Sequence, residues 1–334
     1  SRVHPVTMAE ADGMRIYRRS LSFLLAAAFE ECFPGAALTV DHSISSGGYY
    51  CQVRGRPALT ADDLACLQDR MRTLVEADLP FAKSQVPLEE AIAAFRAKGF
   101  HDKARLLAHR RKKHLVFYQV GSLRDYYHGY MVPSTGYLRW FGLSLAKGGL
   151  TLHFPRRHDP TAVNEPSEYP KLLATFREYG DWLETLGISG VGALDDAIVN
   201  GRAREIILVS EALHERRIAE IARQIAEERE RVRLILIAGP SASGKTTFSK
   251  RLSIQLIALG MSPYPIELDG FFVDREKTPR DEKGEFDFEV LEALDLGRLN
   301  HDLRELIAGQ RVRLPRFDFP AGLQREGEEV ELRP

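Results

Sequence analysis

From Val232 onward the chain passes from a charged run to an apolar run, then a glycine-bounded loop, then a segment of helix length. No other stretch constrains the fold as strongly. Glu227-Glu228-Arg229-Glu230-Arg231 reads as a solvated face, whereas Leu234-Ile235-Leu236-Ile237-Ala238 has the unbroken apolar character of a buried strand. Gly239-Pro240-Ser241-Ala242-Ser243-Gly244-Lys245-Thr246 then fits G-x-x-x-x-G-K-[ST] at every position. Residues 247–259 are long enough for a helix and stop at Gly260. Strand, loop and helix in this order predict the opening of an α/β unit.

The chemistry accounts for each residue type. A run of backbone N–H groups must curl around a phosphate, and Gly239 and Gly244 permit that curl and the close approach of the anion. The helix that follows aims its N-terminus at the same point. Lys245 supplies a point charge for the β- and γ-phosphates of ATP, and Thr246 offers a hydroxyl to Mg²⁺. Ser241, Ala242, Ser243 and Thr247 complete the expected nucleotide cradle.

The chain has 334 residues, enough for two or three domains at roughly 100–200 residues each. Its formal net charge of −1 supplies no global field toward nucleic acid or a membrane, so any anion site must be local. The three cysteines, Cys32, Cys51 and Cys66, are scattered and form no CxxC pair. That spacing argues against a disulfide framework or a thiolate zinc site and suits a reducing cytoplasm. Residues 21–29 and 234–238 are the longest apolar stretches, far short of the roughly 20 residues a membrane span needs. The sequence opens on Ser1 rather than methionine, as expected of a processed chain.

Ahead of the phosphate loop, residues 18–31 are rich in helix formers and stop before Phe33-Pro34-Gly35. Residues 37–40 and 48–53 read as strands. Residues 60–77 read as an amphipathic helix with Thr60 as N-cap and Asp63 as its reach-back partner. Residues 87–98 read as another helix, and 115–154 as strands and turns. This block, residues 1–155, is expected to be an α+β domain. Pro155, Pro160, Pro166 and Pro170 mark a linker, and 171–230 read as helical, so 156–230 form a linker and helical connector. Residues 231–334 form the P-loop domain.

Four segments in this last region resemble, in order, the motifs of the uridine kinase and phosphoribulokinase family: residues 239–247, Glu267-Leu268-Asp269-Gly270-Phe271-Phe272, Phe286-Asp287-Phe288-Glu289, and Leu314-Pro315-Arg316-Phe317-Asp318-Phe319. The resemblance implies ATP–Mg²⁺-dependent phosphoryl transfer to a hydroxyl of a nucleoside or related sugar. It implies that Asp269 acts on the acceptor hydroxyl and helps organise Mg²⁺. From the residues alone, an Asp after an apolar run would lie at the carboxyl edge of a parallel sheet, where α/β proteins bind ligands. Phe272 stands where the uridine kinases have a tyrosine. Asp287 resembles their ribose-binding aspartate; its alternative role is the N-cap of a helix over 291–307. Phe317-Asp318-Phe319 resembles their Tyr-Asp-Phe, which lines the nucleoside pocket. Gly322 stands near the place of their histidine. The family continues into a third strand with an acidic residue and an arginine-bearing lid, so the kinase domain is expected to be incomplete at Pro334.

Tyr17-Arg18-Arg19-Ser20-Leu21-Ser22-Phe23, Gly48-Tyr49-Tyr50, Leu79-Pro80-Phe81 and Asp125-Tyr126-Tyr127-His128-Gly129 resemble the second editing domain of threonyl- and alanyl-tRNA synthetases, over about residues 10–155. In that family a helix carries His-x-x-x-His and a later loop carries Cys and His. Here Arg19 and Phe23 hold the helix positions, and Tyr127 and Met131 hold the loop positions. The resemblance therefore implies a retained fold without the ester-hydrolysing set. A bacterial group that joins such a domain to a uridine-kinase-like one is similar to this chain, and its members often carry a small ubiquitin-like domain in front.

His109-Arg110-Arg111-Lys112-Lys113-His114 is the densest basic patch, either an RNA-phosphate contact or a solvated loop. His42, His128 and His153 have no partner at a metal-ligand spacing and read as structural. Tyr126, Tyr127 and Tyr130 suit a core or turn, or a stacking surface. The leading functional reading is a kinase, with a nucleotide-regulated RNA- or tRNA-binding module of little turnover as the alternative.

Overall fold

The computed structural model of the chain describes residues 4–44, 47–163, 170–240, 242–281 and 284–332. These fall into two compact units, Ser1–Gly201 and Arg202–Pro334. Both mix helices and sheets. Among the described residues, no helix is long and apolar enough to cross a membrane.

The first unit is built on α1 (Ala11–Cys32), longer at both ends than the helix-forming composition of 18–31 predicts. It is followed by β1 (Ala37–Ile44), β2 (Gly48–Arg54), α2 (Ala61–Glu76), β3 (Ala82–Pro87), α3 (Leu88–Ala97) and α4 (His101–Ala108). Then come β4 (His114–Val120), β5 (Leu123–Tyr126), β6 (Gly142–Ala146), β7 (Gly149–His153), α5 (Pro170–Thr185) and α6 (Val191–Val199). Two antiparallel sheets form, one ordered β1-β2-β7-β6 and the other β3-β4-β5. The hairpins are local, but β2 pairs with β7 across a long stretch of sequence. That pairing lets Cys51, Leu150 and Leu152 face the same core as Leu21, Leu24 and Phe29 of α1 and Leu67 and Met71 of α2.

Within this unit, residues 155–163 of the expected linker are irregular; Pro166 lies outside the described residues, and Pro170 opens α5. The stretch 156–230, read as one connector, is divided. α5 and α6 belong to the first unit, and α7 (Ala203–Glu227) belongs to the second. The reason is packing. Gly192 on α6 lies so close to α4 that a Cβ there would sit 2.6 Å from the Leu106 amide nitrogen, while Ile218 and Ala222 of α7 are buried against the next helix.

In the second unit, α7 packs on α8 (Lys245–Ala258) through Ile218, Ala222, Leu252 and Leu256. A second cluster joins Phe271, Leu306 of α9 (Leu296–Ile307), Val312 and Leu314 of β8 (Val312–Asp318), and Val330 of β9 (Leu323–Val330). β8 and β9 form an antiparallel ribbon.

The predicted strand at 234–238 does not form, nor does the parallel sheet it was to open. Among the described residues no strand pairs with it, and Leu236 is 78% exposed. A buried strand is held by hydrogen-bonded neighbours and covering helices rather than by its own composition. The apolar run at 265–268 is likewise unpaired and ends in a 3₁₀ turn, Leu268–Phe271.

The predicted cap of α2 does form. The Thr60 hydroxyl accepts from the Asp63 amide at 3.1 Å, and the Thr60 amide donates to the Asp63 carboxylate at 2.9 Å. The Thr60 amide and then the Arg56 guanidinium hold Asp63 below the usual carboxylate range. This contribution is therefore present above the unfolded carboxylate pKa and is lost as pH falls through the lowered folded value. Thr60→Ala should destabilise the fold by about 1 kcal/mol at neutral pH, and Thr60→Ser should restore most of it. Denaturant unfolding of the three proteins checks this; equal midpoints would show that the box carries nothing.

Candidate functional site

The phosphate loop is shaped by backbone conformation. Ala242 has φ of 58° and Gly244 has φ of 88°, so among the described residues of the loop these two occupy the left-handed region. For glycine that region is open; for alanine it is uncommon and strained. The Ser243 amide donates to the Pro240 carbonyl at 3.2 Å and closes the turn. Gly244 is the N-cap of α8, and the first intrahelical bond runs from the Phe248 amide to the Gly244 carbonyl at 2.9 Å.

The amides of Lys245, Thr246 and Thr247 therefore precede the helical ladder and are orphan donors. No side-chain cap covers them, and the first turn of α8 holds no acidic residue. The Lys245 ammonium folds back over the loop and donates to the carbonyls of Gly239 at 3.0 Å and Pro240 at 3.1 Å. Thr246 and Thr247 are exposed on the first turn. A Cβ on Gly239 would approach the Ser243 hydroxyl to 2.8 Å, so bulk there would press on the loop. Ser241 lies outside the described residues.

The other expected site residues gather elsewhere in this unit. Phe272 meets Phe288, Phe317 and Phe319 edge-on, with ring centroids 5.1, 5.7 and 6.3 Å away. Asp287 adjoins this aromatic group in sequence. Its carboxylate accepts from the Glu289 amide at 3.0 Å, and its own amide donates to the Pro279 carbonyl at 2.8 Å. Asp287 is not the cap of the next helix. α9 starts at Leu296, and Asp295 caps it by accepting from the Arg298 amide at 3.0 Å. Residues 291–293 form a separate 3₁₀ turn.

Asp269 sits exposed in the turn Leu268–Phe271, with Phe271 buried beneath it. Among the described residues its carboxylate has no hydrogen-bond or ion-pair partner. It adjoins the core of β8 and α9, whereas the phosphate loop adjoins the core of α7 and α8, so the expected sheet edge joining them is not formed.

In the first unit, the four positions singled out on the helix and loop do come together. The Phe23 ring packs edge-on against Tyr127 at 5.3 Å and Phe81 at 5.7 Å. Arg19 donates to the Tyr130 carbonyl at 2.7 Å, and the Ser20 hydroxyl lies 3.4 Å from the Met131 sulfur. Among the described residues, no three His, Cys, Asp or Glu side chains cluster in a way that would hold a metal ion. Sequence reasoning missed Arg15 and Arg18, which line a cleft on this same face with Arg19. The helical spacing 15, 18, 19 was the available signal. Of the tyrosines weighed as a stacking surface, Tyr127 is packed into the core and Tyr130 is exposed.

Residues 234–331 match the phosphoribulokinase/uridine kinase family. The N-terminal part is similar to threonine–tRNA ligases: 38% identical over 144 residues to those of Acidovorax sp. (strain JS42) and Marinobacter nauticus, and 36% to that of Polaromonas sp. (strain JS666). Each of these alignments covers 43% of this chain and 22% of the relative, so the chain spans about a fifth of the length of the curated relatives it matches. The chain thus joins a segment similar to a synthetase to a segment of kinase type.

Two outcomes are expected. Lys245→Ala removes the ammonium that folds over the loop and should weaken Mg²⁺–ATP binding about tenfold or more, a loss typical of a charge-assisted contact. Calorimetry giving equal affinities for the two proteins would refute the loop's role. Seryl-tRNA specific for threonine should deacylate no faster with the chain than in buffer, because among the described residues no three His, Cys, Asp or Glu side chains cluster to hold a metal ion. Release of serine in proportion to protein concentration would overturn this.

Proposed function

We propose that the protein is an ATP- and Mg²⁺-dependent kinase that phosphorylates a hydroxyl of a nucleoside or related sugar. The phosphate loop carries this reading: its left-handed turn, its orphan amides and the Lys245 ammonium converge at the head of α8. The family match over 234–331 supports the same reaction class.

In this reading the loop from Gly239 to Gly244, together with Thr247, wraps the β- and γ-phosphates, and Lys245 exchanges its two carbonyl partners for phosphate oxygens. Thr246 offers a hard oxygen ligand of the kind Mg²⁺ prefers, and Asp269, which adjoins the other core of this unit, would have to be brought to the loop to share the ion. The ion, once bound, neutralises charge on the phosphates. Asp269, unpaired and exposed, accepts the proton as the acceptor's O–H bond breaks. The acceptor oxygen forms a bond to the γ-phosphorus, the bond to the bridging oxygen breaks, and ADP leaves with that electron pair. Phe272 and Phe317 provide aromatic edges for the acceptor's ring, and Asp287 provides a carboxylate for a sugar hydroxyl.

Asp269→Asn keeps shape but removes the base. It should leave ATP affinity within a few-fold and lower acceptor phosphorylation by about 10²-fold or more. The assay follows transfer from γ-labelled ATP to a panel of nucleosides and sugars. Near wild-type transfer by the mutant would remove Asp269 from the mechanism. Labelling of none of the acceptors would remove the acceptor class.

A further inference from the structure

The α1 face of the first unit holds a cleft of about 460 Å³, within the roughly 300–1,000 Å³ of small-molecule sites. Arg15, Arg18 and Arg19 line it together with Tyr49, Tyr127 and His128, and no carboxylate is among its lining residues. Arg15 pairs with Asp12 at the surface, 2.7 Å away. Among the described residues, neither Arg18 nor Arg19 has a carboxylate within ion-pair distance. Arg19 spends one N–H on the Tyr130 carbonyl. Arg18 lies over the Phe154 ring at 4.6 Å, and its Nε is buried without a hydrogen-bond partner.

Two further observations give the site its sign and its build. Burial first, then the positive charges of Arg110, Lys112 and Arg19, lower the pKa of His128, so the charges that act on it are cationic. Gly129 has φ of +83°, and a Cβ there would lie 2.8 Å from the Arg19 guanidinium. The chain thus bends into a glycine-only conformation where the guanidinium passes.

Unpaired guanidinium groups on an apolar floor are costly unless an anion answers them. A guanidinium fork fits a phosphate bidentately, and two adjacent forks match a dianion better than a single carboxylate. We propose that this cleft binds a phosphate monoester, with its dianionic head on Arg18 and Arg19 and its organic body along Tyr49. The site is separate from the phosphate loop and does not depend on the kinase reading.

The test uses the whole chain carrying Lys245→Ala, which silences the loop. AMP and UMP are titrated by calorimetry, with adenosine and uridine as uncharged controls and a short single-stranded RNA without a terminal phosphate as the polymer control. AMP or UMP should bind, and the nucleosides should bind about tenfold more weakly or worse. Adding Arg18→Gln should cost a similar factor, and Arg18→Lys less, since it keeps the charge but loses the fork. Should Arg18→Gln fail to fold, Arg15→Gln on the exposed side of α1 replaces it, with an expected loss of several-fold. Unchanged affinity in the folded variant, equal binding of nucleoside and nucleotide, binding of the RNA alone, or no binding of any probe would overturn the proposal.

Discussion

The hydroxyl of Ser20 does two things at once: it donates to the Ile16 carbonyl within α1 at 2.8 Å and accepts from the Val132 amide at 2.9 Å. One residue position fully withdrawn from solvent thus ties the 127–132 loop to the helix. Three residues earlier, the Tyr17 hydroxyl accepts from the Trp140 amide and donates to the Trp140 carbonyl, at 2.9 and 2.7 Å. Burial pushes this phenol far above its ordinary pKa, so it stays a neutral donor. Net hydrogen-bond contributions are modest, but a buried amide left without a partner costs more than the bond itself returns. The loop therefore has one place to lie, and the neighbourhood of Arg19, Phe23, Tyr127 and His128 follows from it.

What was legible in the sequence was local. The α2 cap is set by residues three apart and is readable from a few neighbours, whereas the helix expected over 247–259 begins two residues earlier, at Lys245, with Gly244 as its N-cap. The strand at 234–238 was misread because its apolar composition reports a preference for burial, while strand formation needs partners that composition cannot specify. Asp287 was weighed as a cap for the same reason. An Asp before an apolar helical run satisfies the rule at several offsets, and Asp295 wins because it lies immediately before Leu296. The antiparallel pairing of β2 with β7 has no local signature at all. The site is legible in proportion: the loop motif is complete at every position, the edge-on meeting of Phe272 and Phe317 has no local signature, and the Arg15 and Arg18 lining shows only as a helical spacing of basic residues.

The two anion-directed features of this chain use different physics. At the head of α8 the positive end is made mostly of backbone amides, with a single lysine whose charge is parked on two carbonyls. Such a site requires conformation, which is why Ala242 and Gly244 adopt left-handed backbone there. In the α1 cleft the positive end is made of side chains on an ordinary helix, and the backbone concession falls on the opposing loop at Gly129. With a net charge of only −1 on the whole molecule, neither site gains from long-range steering. Recognition at both must come from contact geometry.

Positions 19, 23, 127 and 131 hold Arg, Phe, Tyr and Met, and these residue types limit what water can do there. Hydrolysis of an ester needs a polarised water held beside a group that takes its proton. Phe23 packs against Tyr127 in the core, the Tyr127 phenol is raised far above neutrality by burial, and Met131 contributes a soft sulfur. None of these accepts a proton near pH 7. His128, which also lines the cleft, has its pKa lowered by burial and then by the surrounding cations. It already shares its Nε2 with Arg110 at 3.3 Å and the Tyr126 hydroxyl at 3.4 Å. An anion bound beside it would offset those cations and raise its affinity for a proton, so occupancy of the cleft and the charge of His128 are thermodynamically linked.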